Sequence, residues 1–386
     1  MRLSHLVFIH FFLLSSLSVL GQQPSYEENQ PTIKDVIAYH LHILRKDPQK
    51  FESAVILMES YYQLEDYRKS LLYANIAEDI YLHQNQHQFN RSKWTDSSTL
   101  FYIFQTRGKS RHKLGDYRKA KTDYLEALQM NSHNSDLLVD IGNLYYNLEQ
   151  YDSALLYFNK AELEFPEGFK AKFNIANTYF VLKKYDSAIF YYDKSIEVKD
   201  DFPYTYFYKG SIYNELEDFE SAINAFNQAI RIWPDKSEIY FRRGIAYQSI
   251  GRYEEALIDW NTVLFLDSSN YDATRNRSMA YMKLNHKKAA LNDLTFLITQ
   301  NPNEVEGYYL RGEYFYLKKQ YKKALPDLEI AFEKGSEGKE IYYMLGNIYR
   351  KFKNKEGSCV FLLKAKEAEH PLSKKNEKFL EKCDKD

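Results

Sequence analysis

Residues 135–168 read SDLLVDIGNLYYNLEQYDSALLYFNKAELEFPEG, and residues 169–202 read FKAKFNIANTYFVLKKYDSAIFYYDKSIEVKDDF, the same pattern 34 residues later. In the first stretch Leu138, Ile141, Leu144 and Tyr145 fall at helical spacing, Glu149-Gln150 interrupts them, and Tyr151, Ala154, Leu155, Phe158 and Ala161 resume it. Each stretch therefore predicts two amphipathic helices joined by a short polar turn. The period extends outward without an inserted or deleted residue, giving eight units from Phe101 to Leu372. Place eight of the unit is small: Gly108, Gly142, Ala176, Gly210, Gly244, Ser278, Gly312, Gly346. Place eleven is aromatic from Tyr145 to Tyr349, with Arg111 the exception, and place twenty is small from Ala120 to Ser358. A strict period of this length means stacked helical pairs, each burying its apolar face against its neighbours.

Small residues at places eight and twenty let the helices of a unit approach closely. Large ones at places eleven, seventeen and twenty-four fill the remaining space, among them Tyr124, Phe158, Tyr192, Phe226 and Trp260 at place twenty-four. This accounts for 35 Tyr and 25 Phe in 386 residues, which read as packing and not as a cofactor box.

With aromatics at place seventeen (Tyr117, Tyr151, Tyr185, Phe219, Tyr253, Tyr321), small residues at twenty-seven (Ala127, Ala161, Ser195, Ala229) and prolines at thirty-two (Pro166, Pro234, Pro302), the chain resembles the tetratricopeptide repeat family, in an exported bacterial type. The resemblance implies an all-α right-handed superhelix, an α-solenoid of about nine helix-turn-helix repeats with a C-terminal capping helix. It also implies a non-catalytic task, the holding of other proteins. Departures are Lys287 at place seventeen, Lys355 and Ser358 in the last unit, and Pro326. That proline lies early in a second helix, where it removes a backbone donor and is expected to bend the helix start.

Place seven, normally apolar in this family, is Arg107, Arg243, Arg277 and Arg311 in four units, and the same units carry Asp123, Asp259, Asp293 and Asp327 at place twenty-three. Units with Ile141, Ile175 or Leu345 at place seven carry Tyr157, Tyr191 or Phe361 at twenty-three, while Lys209 with Ala225 stands unmatched. Places that change together are expected to touch, and the fork of an arginine suits a carboxylate. These are expected to be structural ion pairs; the other reading is that the arginines grip an acidic ligand.

Residues 1–21 read as a secretory signal peptide, with Arg2, an apolar stretch from Leu6 to Leu20, and small residues before Gln22. The alternative is an uncleaved anchor. No other segment is apolar enough to span a bilayer, so the mature chain is expected to be periplasmic or secreted. Residues 22–100 form an N-terminal helical segment: a helix over 32–47, a degenerate unit at 51–84, and an out-of-phase insert at 85–100 with Trp94 and a helix start at Thr95-Asp96-Ser97. Residues 101–372 are the eight contiguous repeats, and 373–386 read as a charged capping helix with Phe379 and Leu380 on one side. Cys359 and Cys383 are the only cysteines; in an oxidising compartment they form a disulfide stapling the cap, or else stand as two unrelated thiols.

No phosphate loop, nucleophile elbow or zinc signature occurs. His83 and His87 stand four apart but lack a third ligand, so no metal and no cofactor is expected. A net charge of −1 with dispersed basic residues argues against nucleic acid, and no small-molecule substrate is expected.

The resemblance places residues two, five, nine, twelve and thirteen of each first helix on the concave face. The expected partner-binding groove comprises Tyr146, Phe173, Asn177, Phe180, Phe207, Phe241, Arg275, Tyr309, Tyr316 and Tyr343. Aromatic anchors interspersed with amides suit an extended peptide or a partner helix, although some of the rings also read as packing between repeats. The lysines that clamp a terminal carboxylate in some family members are replaced here by Val139 and Phe173, so that ligand is rejected. The expected function is an interaction scaffold or adaptor. The alternative is a structural or assembly subunit acting through self-association.

Overall fold

The computed structural model describes residues 31–86 and 97–383, and it forms twenty helices with no strand among those residues. The expectations for residues 1–21, for His87 and Trp94, and for the helix start at Thr95-Asp96 lie outside the described residues. The chain divides into two compact units, one ending at Pro166 and the other beginning at Glu167.

The first unit holds α1 (Ile33–Lys46), α2 (Phe51–Gln63), α3 (Tyr67–Gln86), α4 (Ser97–Lys113), α5 (Tyr117–Met130), α6 (Ser135–Asn147) and α7 (Tyr151–Glu164). The second holds α8 (Phe169–Val181), α9 (Tyr185–Val198), α10 (Pro203–Glu215), α11 (Phe219–Ile232), α12 (Ser237–Ser249), α13 (Tyr253–Leu266), α14 (Tyr271–Lys283), α15 (Lys287–Gln300), α16 (Val305–Leu317), α17 (Tyr321–Glu333), α18 (Lys339–Lys351), α19 (Lys355–Glu367) and the short α20 (Lys374–Leu380). From α2 onward each repeat contributes a first helix and a second helix that pack most closely on each other, then on the next pair within the same unit.

Some helix starts are fixed by side-chain caps. Thr32 and Asp35 form a capping box on α1, and Asn134 Oδ1 accepts from the Leu137 amide at 2.8 Å on α6; each such cap satisfies donors that the helix cannot. The turn between the two helices is equally regular. Place fifteen is left-handed in every described repeat, from Glu65 at φ 60° and Gly115 at φ 81° to Lys353 at φ 62°. At Glu149 the reversal is closed by Gln150 N to Tyr145 O and Glu149 N to Tyr146 O, both 2.9 Å, the paired bonds that end a helix and send the chain back alongside it.

The core lies between paired helices. A Cβ on Gly142 would sit 2.4 Å from the Phe158 ring, so glycine at place eight is what lets the place-twenty-four ring lie flat on α6. Phe158, Tyr192, Phe226 and Trp260 are fully buried there.

Two local features depart from the regular repeat. The out-of-phase stretch over 85–100 is entered by both flanking helices: α3 continues to Gln86 and α4 begins at Ser97, making helices of 20 and 17 residues. Buried Ile80 and Ile103, at the inner ends of these extensions, join one cluster. Pro326 sits inside α17, on its exposed side, and the helix continues through it. No helix of the described residues is long and apolar enough to cross a membrane.

Candidate functional site

The cations at place seven are spent on the fold. In the second unit Arg243 reaches Asp259 at 2.9 and 2.5 Å, Arg277 reaches Asp293 at 2.8 and 2.8 Å, and Arg311 reaches Asp327 at 2.7 and 2.7 Å. In the first unit Arg107 donates twice to Asp123, at 3.0 and 2.9 Å, and also to Glu78. Burial pushes the Asp259 carboxyl up and Arg243 pulls it back. Each arginine bonds the aspartate of its own second helix, and three also reach a side chain of the preceding repeat: Arg107 meets Asn75, Arg243 meets Asn227 and Arg277 meets Asn261. Lys209, unmatched within its repeat, follows the same rule and donates to Asp193 one repeat earlier.

The faces formed by the first helices differ between the units. In the first, polar groups bond among themselves. Asp140 Oδ2 takes Gln105 Nε2 at 2.8 Å and Lys109 Nζ at 3.1 Å. Tyr102 donates to Glu59, His112 meets Asn147 at 2.8 Å, and burial pushes the Tyr62 phenol up to about 12. Tyr146 stands edge-on to Tyr151, ring centres 5.6 Å apart.

In the second unit the face is aromatic. Phe173, Phe180, Phe207 and Phe241 are half-buried on consecutive first helices. Phe173 packs on Phe202, centres 5.0 Å apart, and Phe207 packs on Tyr208 at 5.3 Å. These rings therefore serve packing with one side and the face with the other. Several expected contact residues are already engaged. Asn177 accepts from the Tyr192 hydroxyl at 2.5 Å. Arg275 pairs with Glu306 at 3.3 Å and Asp272 at 3.4 Å. Tyr309 is half-buried, and desolvation pushes its phenol up to about 12.

At the C-terminal end the chain covers its own face. Tyr316 accepts from Asn347 at 3.2 Å, Asn347 accepts from Asn376 of α20 at 3.1 Å, and Asn376 accepts from Arg350. Tyr343 stacks on His370 at 4.2 Å. Cys359 and Cys383 are joined, with Cα atoms 5.8 Å apart, tying the end of α20 to α19.

Two residues absent from the expected site stand out at place twelve. Asn214 Oδ1 and Gln248 Oε1 are buried oxygens with no hydrogen-bond partner among the described residues. They lie on adjacent first helices, α10 and α12, which also carry Phe207 and Phe241. An amide at place twelve was the available sequence signal; its unmet bond depends on side-chain direction and distance to the next repeat. Among the described residues no three His, Cys, Asp or Glu side chains gather as a metal site would require.

Tetratricopeptide repeat models match residues 106–162, 169–202, 275–329 and 339–369, and a TPR repeat model matches 210–251, together more than half of the chain. Among solved structures, YrrB, described as a TPR protein with an unusual peptide-binding site, is 21% identical over 48% of this chain and 95% of its own, TM-score 0.44. A tetratricopeptide repeat protein of Parabacteroides merdae is 18% identical over 64% of this chain and 97% of its own, TM-score 0.47. PilF of Pseudomonas aeruginosa is 12% identical over 56% of this chain and 99% of its own, TM-score 0.49. No curated protein matches the chain.

Proposed function

We propose that this chain, which belongs to the tetratricopeptide repeat family, is a non-catalytic adaptor that holds an extended peptide against the first helices of residues 169–283. Proteins of this fold are generally protein–protein interaction scaffolds and typically non-catalytic. The observation that carries the finer reading is the pair of unpartnered buried oxygens, Asn214 Oδ1 and Gln248 Oε1, beside the half-buried Phe207 and Phe241. A buried acceptor left without a donor costs roughly 1–3 kcal/mol; both oxygens are sealed from solvent where they stand, so the proposal has the two amides turn outward into the face, where the backbone N–H groups of an extended peptide are donors of the right kind. The rings then take its side chains, as aromatic anchors do in peptide grooves. In the first unit the corresponding face has bonded its polar groups internally, which is why the second unit carries the reading.

Export is part of the proposal. It rests on the signal-like residues 1–21, and mass spectrometry of the protein recovered from its native host tests it by locating the N-terminus at or away from Gln22.

The groove is tested by affinity capture with the full chain beside two variants of equal thermal stability, Phe207→Ala/Phe241→Ala and Asn214→Ala/Gln248→Ala. A captured partner lost by both variants supports the groove. A partner retained by both overturns it and moves the site elsewhere.

A further inference from the structure

The second helices of the second unit carry a face that complements itself. Between α13 and α15 lies a hollow of about 410 Å³, lined by Leu264, Thr274, Arg277, Asn292, Asp293 and Phe296. Its charged members Arg277 and Asp293 are bonded to one another, so the hollow carries no net charge, and Leu264 and Phe296 give it an apolar flank on which a ring can rest, beside the polar Ser268, Thr274 and Asn292. Beside it stands Phe265, 87% exposed, with Ile258 at 64% two turns earlier on α13. Phe265 is the most exposed large apolar side chain among the described residues.

The charges around the hollow change sign across it. At place eighteen Glu220 and Glu254 lie on the α13 side, and Lys288 and Lys322 on the α15 side, all exposed. At place twenty-nine the order is reversed: exposed Arg231 flanks the α13 side and exposed Glu333 the α15 side. A like-charged row, Asp235 and Glu337, lies in the loops past the helix ends.

We infer that this face pairs with the same face of a second copy about a two-fold axis running along the hollow. Such an axis sets each α13 against the α15 of the other copy at equal height. Phe265 of each copy then enters the hollow of the other beside Phe296, and both insertions occur at once, as an isologous contact requires. Glu254 faces Lys288, Glu220 faces Lys322 and Arg231 faces Glu333, each pair twice and each of opposite sign, while the same axis brings Asp235 against Glu337, a like-charged pair that they outnumber three to one. An unrelated partner would have to supply this antisymmetric pattern independently; a second copy carries it already. The inference uses the opposite helices from the peptide groove and stands without it.

Sedimentation velocity of the full chain over roughly 1–100 μM, a range spanning ordinary dimer affinities, is the test. A reversible dimer that weakens with added salt is expected. Phe265→Glu should abolish it. Glu254→Lys and Lys288→Glu should each weaken it at least about tenfold, through a like-charge pair present twice. The double reversal Glu254→Lys/Lys288→Glu should return it to within about threefold of the parent, because the two positions then match again. All three sites are exposed, and circular dichroism checks that each variant keeps its helices. A chain that stays monomeric throughout, a dimer indifferent to Phe265→Glu, or a double reversal weaker than either single one would each overturn the inference.

Discussion

Arg243 and Asp259 meet as fork and carboxylate, Nε to Oδ2 at 2.9 Å and Nη2 to Oδ1 at 2.5 Å, with the aspartate side chain 1% exposed. Removing one partner strands a buried charge, and replacing both need not. Asp259→Ala is expected to lose about 3–5 kcal/mol in urea denaturation. Arg243→Ile/Asp259→Tyr, the combination the chain itself uses at Ile175 and Tyr191, should stay within about 1.5 kcal/mol of the parent, since such exchanges of a buried pair for packed apolar groups are often neutral. A double variant as unstable as Asp259→Ala would show that the pair does more than fill the seam.

The contact of Gly142 with Phe158 gives a second expectation. A methyl group there would lie 2.4 Å from the ring, and the ring belongs to a fully buried core residue. Gly142→Ala should therefore destabilise by about 1–3 kcal/mol despite the better helix propensity of alanine. Gly142→Ala/Phe158→Leu should recover part of that loss, copying the repeat in which Ser278, a residue with a Cβ, stands at place eight and the smaller Leu294 at place twenty-four, both fully buried. Thermal melts compare the three proteins.

His40 gives the fold a dependence on pH. It is 7% exposed, 3.1 Å from Ser53 Oγ, and burial lowers its pKa to about 4. The unfolded chain, with the ordinary value, binds the proton more readily between those two pKa values. The stabilisation is thus complete above the unfolded pKa and is lost as pH falls from about 6.5 towards 4, amounting to about 2 kcal/mol at pH 5. Amide exchange in residues 33–63 should accelerate between pH 7 and pH 5 after correction for intrinsic rates, and His40→Gln should flatten that change. An imidazole titration with a midpoint near 6.5 would defeat the argument.

The capping helix gives a fourth. It has only seven residues, with Asn376 and Leu380 buried, and the disulfide closes a loop with a sequence separation of 24. A helix this short does not persist alone, and a cross-link over such a loop is worth about 3 kcal/mol on chain-entropy grounds. Cys383→Ser should raise exchange in residues 374–383 and around Asn347 and Arg350, leaving α8 to α14 unchanged. Uniform protection in both proteins would mean that Leu380 and Asn376 suffice.

The architecture was legible because eight copies of one register repeat the same places, so each helix and turn is read many times over. The Arg243–Asp259 contact was legible because both residues belong to one unit and change together. Asn227 and Asn261 did not stand out, since they belong to the preceding unit and Thr295 before Arg311 breaks the pattern. The groove was legible as a set of places and not as a set of vacancies. Residue type alone does not say that Asn177 is taken by Tyr192 while Asn214 and Gln248 keep an oxygen without a partner. Nor does it reveal that α20 lies against Asn347 and Arg350, because the cap departs from the period.

Arg243 is fastened to residues 16 before and 16 after it in the chain, Asn227 and Asp259. Repeats joined in this way are not interchangeable parts. Copying residues 237–270 in tandem would place the new arginine behind Asn261, an amide like the one that Arg243 meets now. The same segment inserted after residue 304 would fall behind Thr295 and lose that bond. One residue at place twenty-five thus decides whether a duplicated arginine stays tied to the repeat before it or stands, as Arg311 does behind Thr295, on its own aspartate alone.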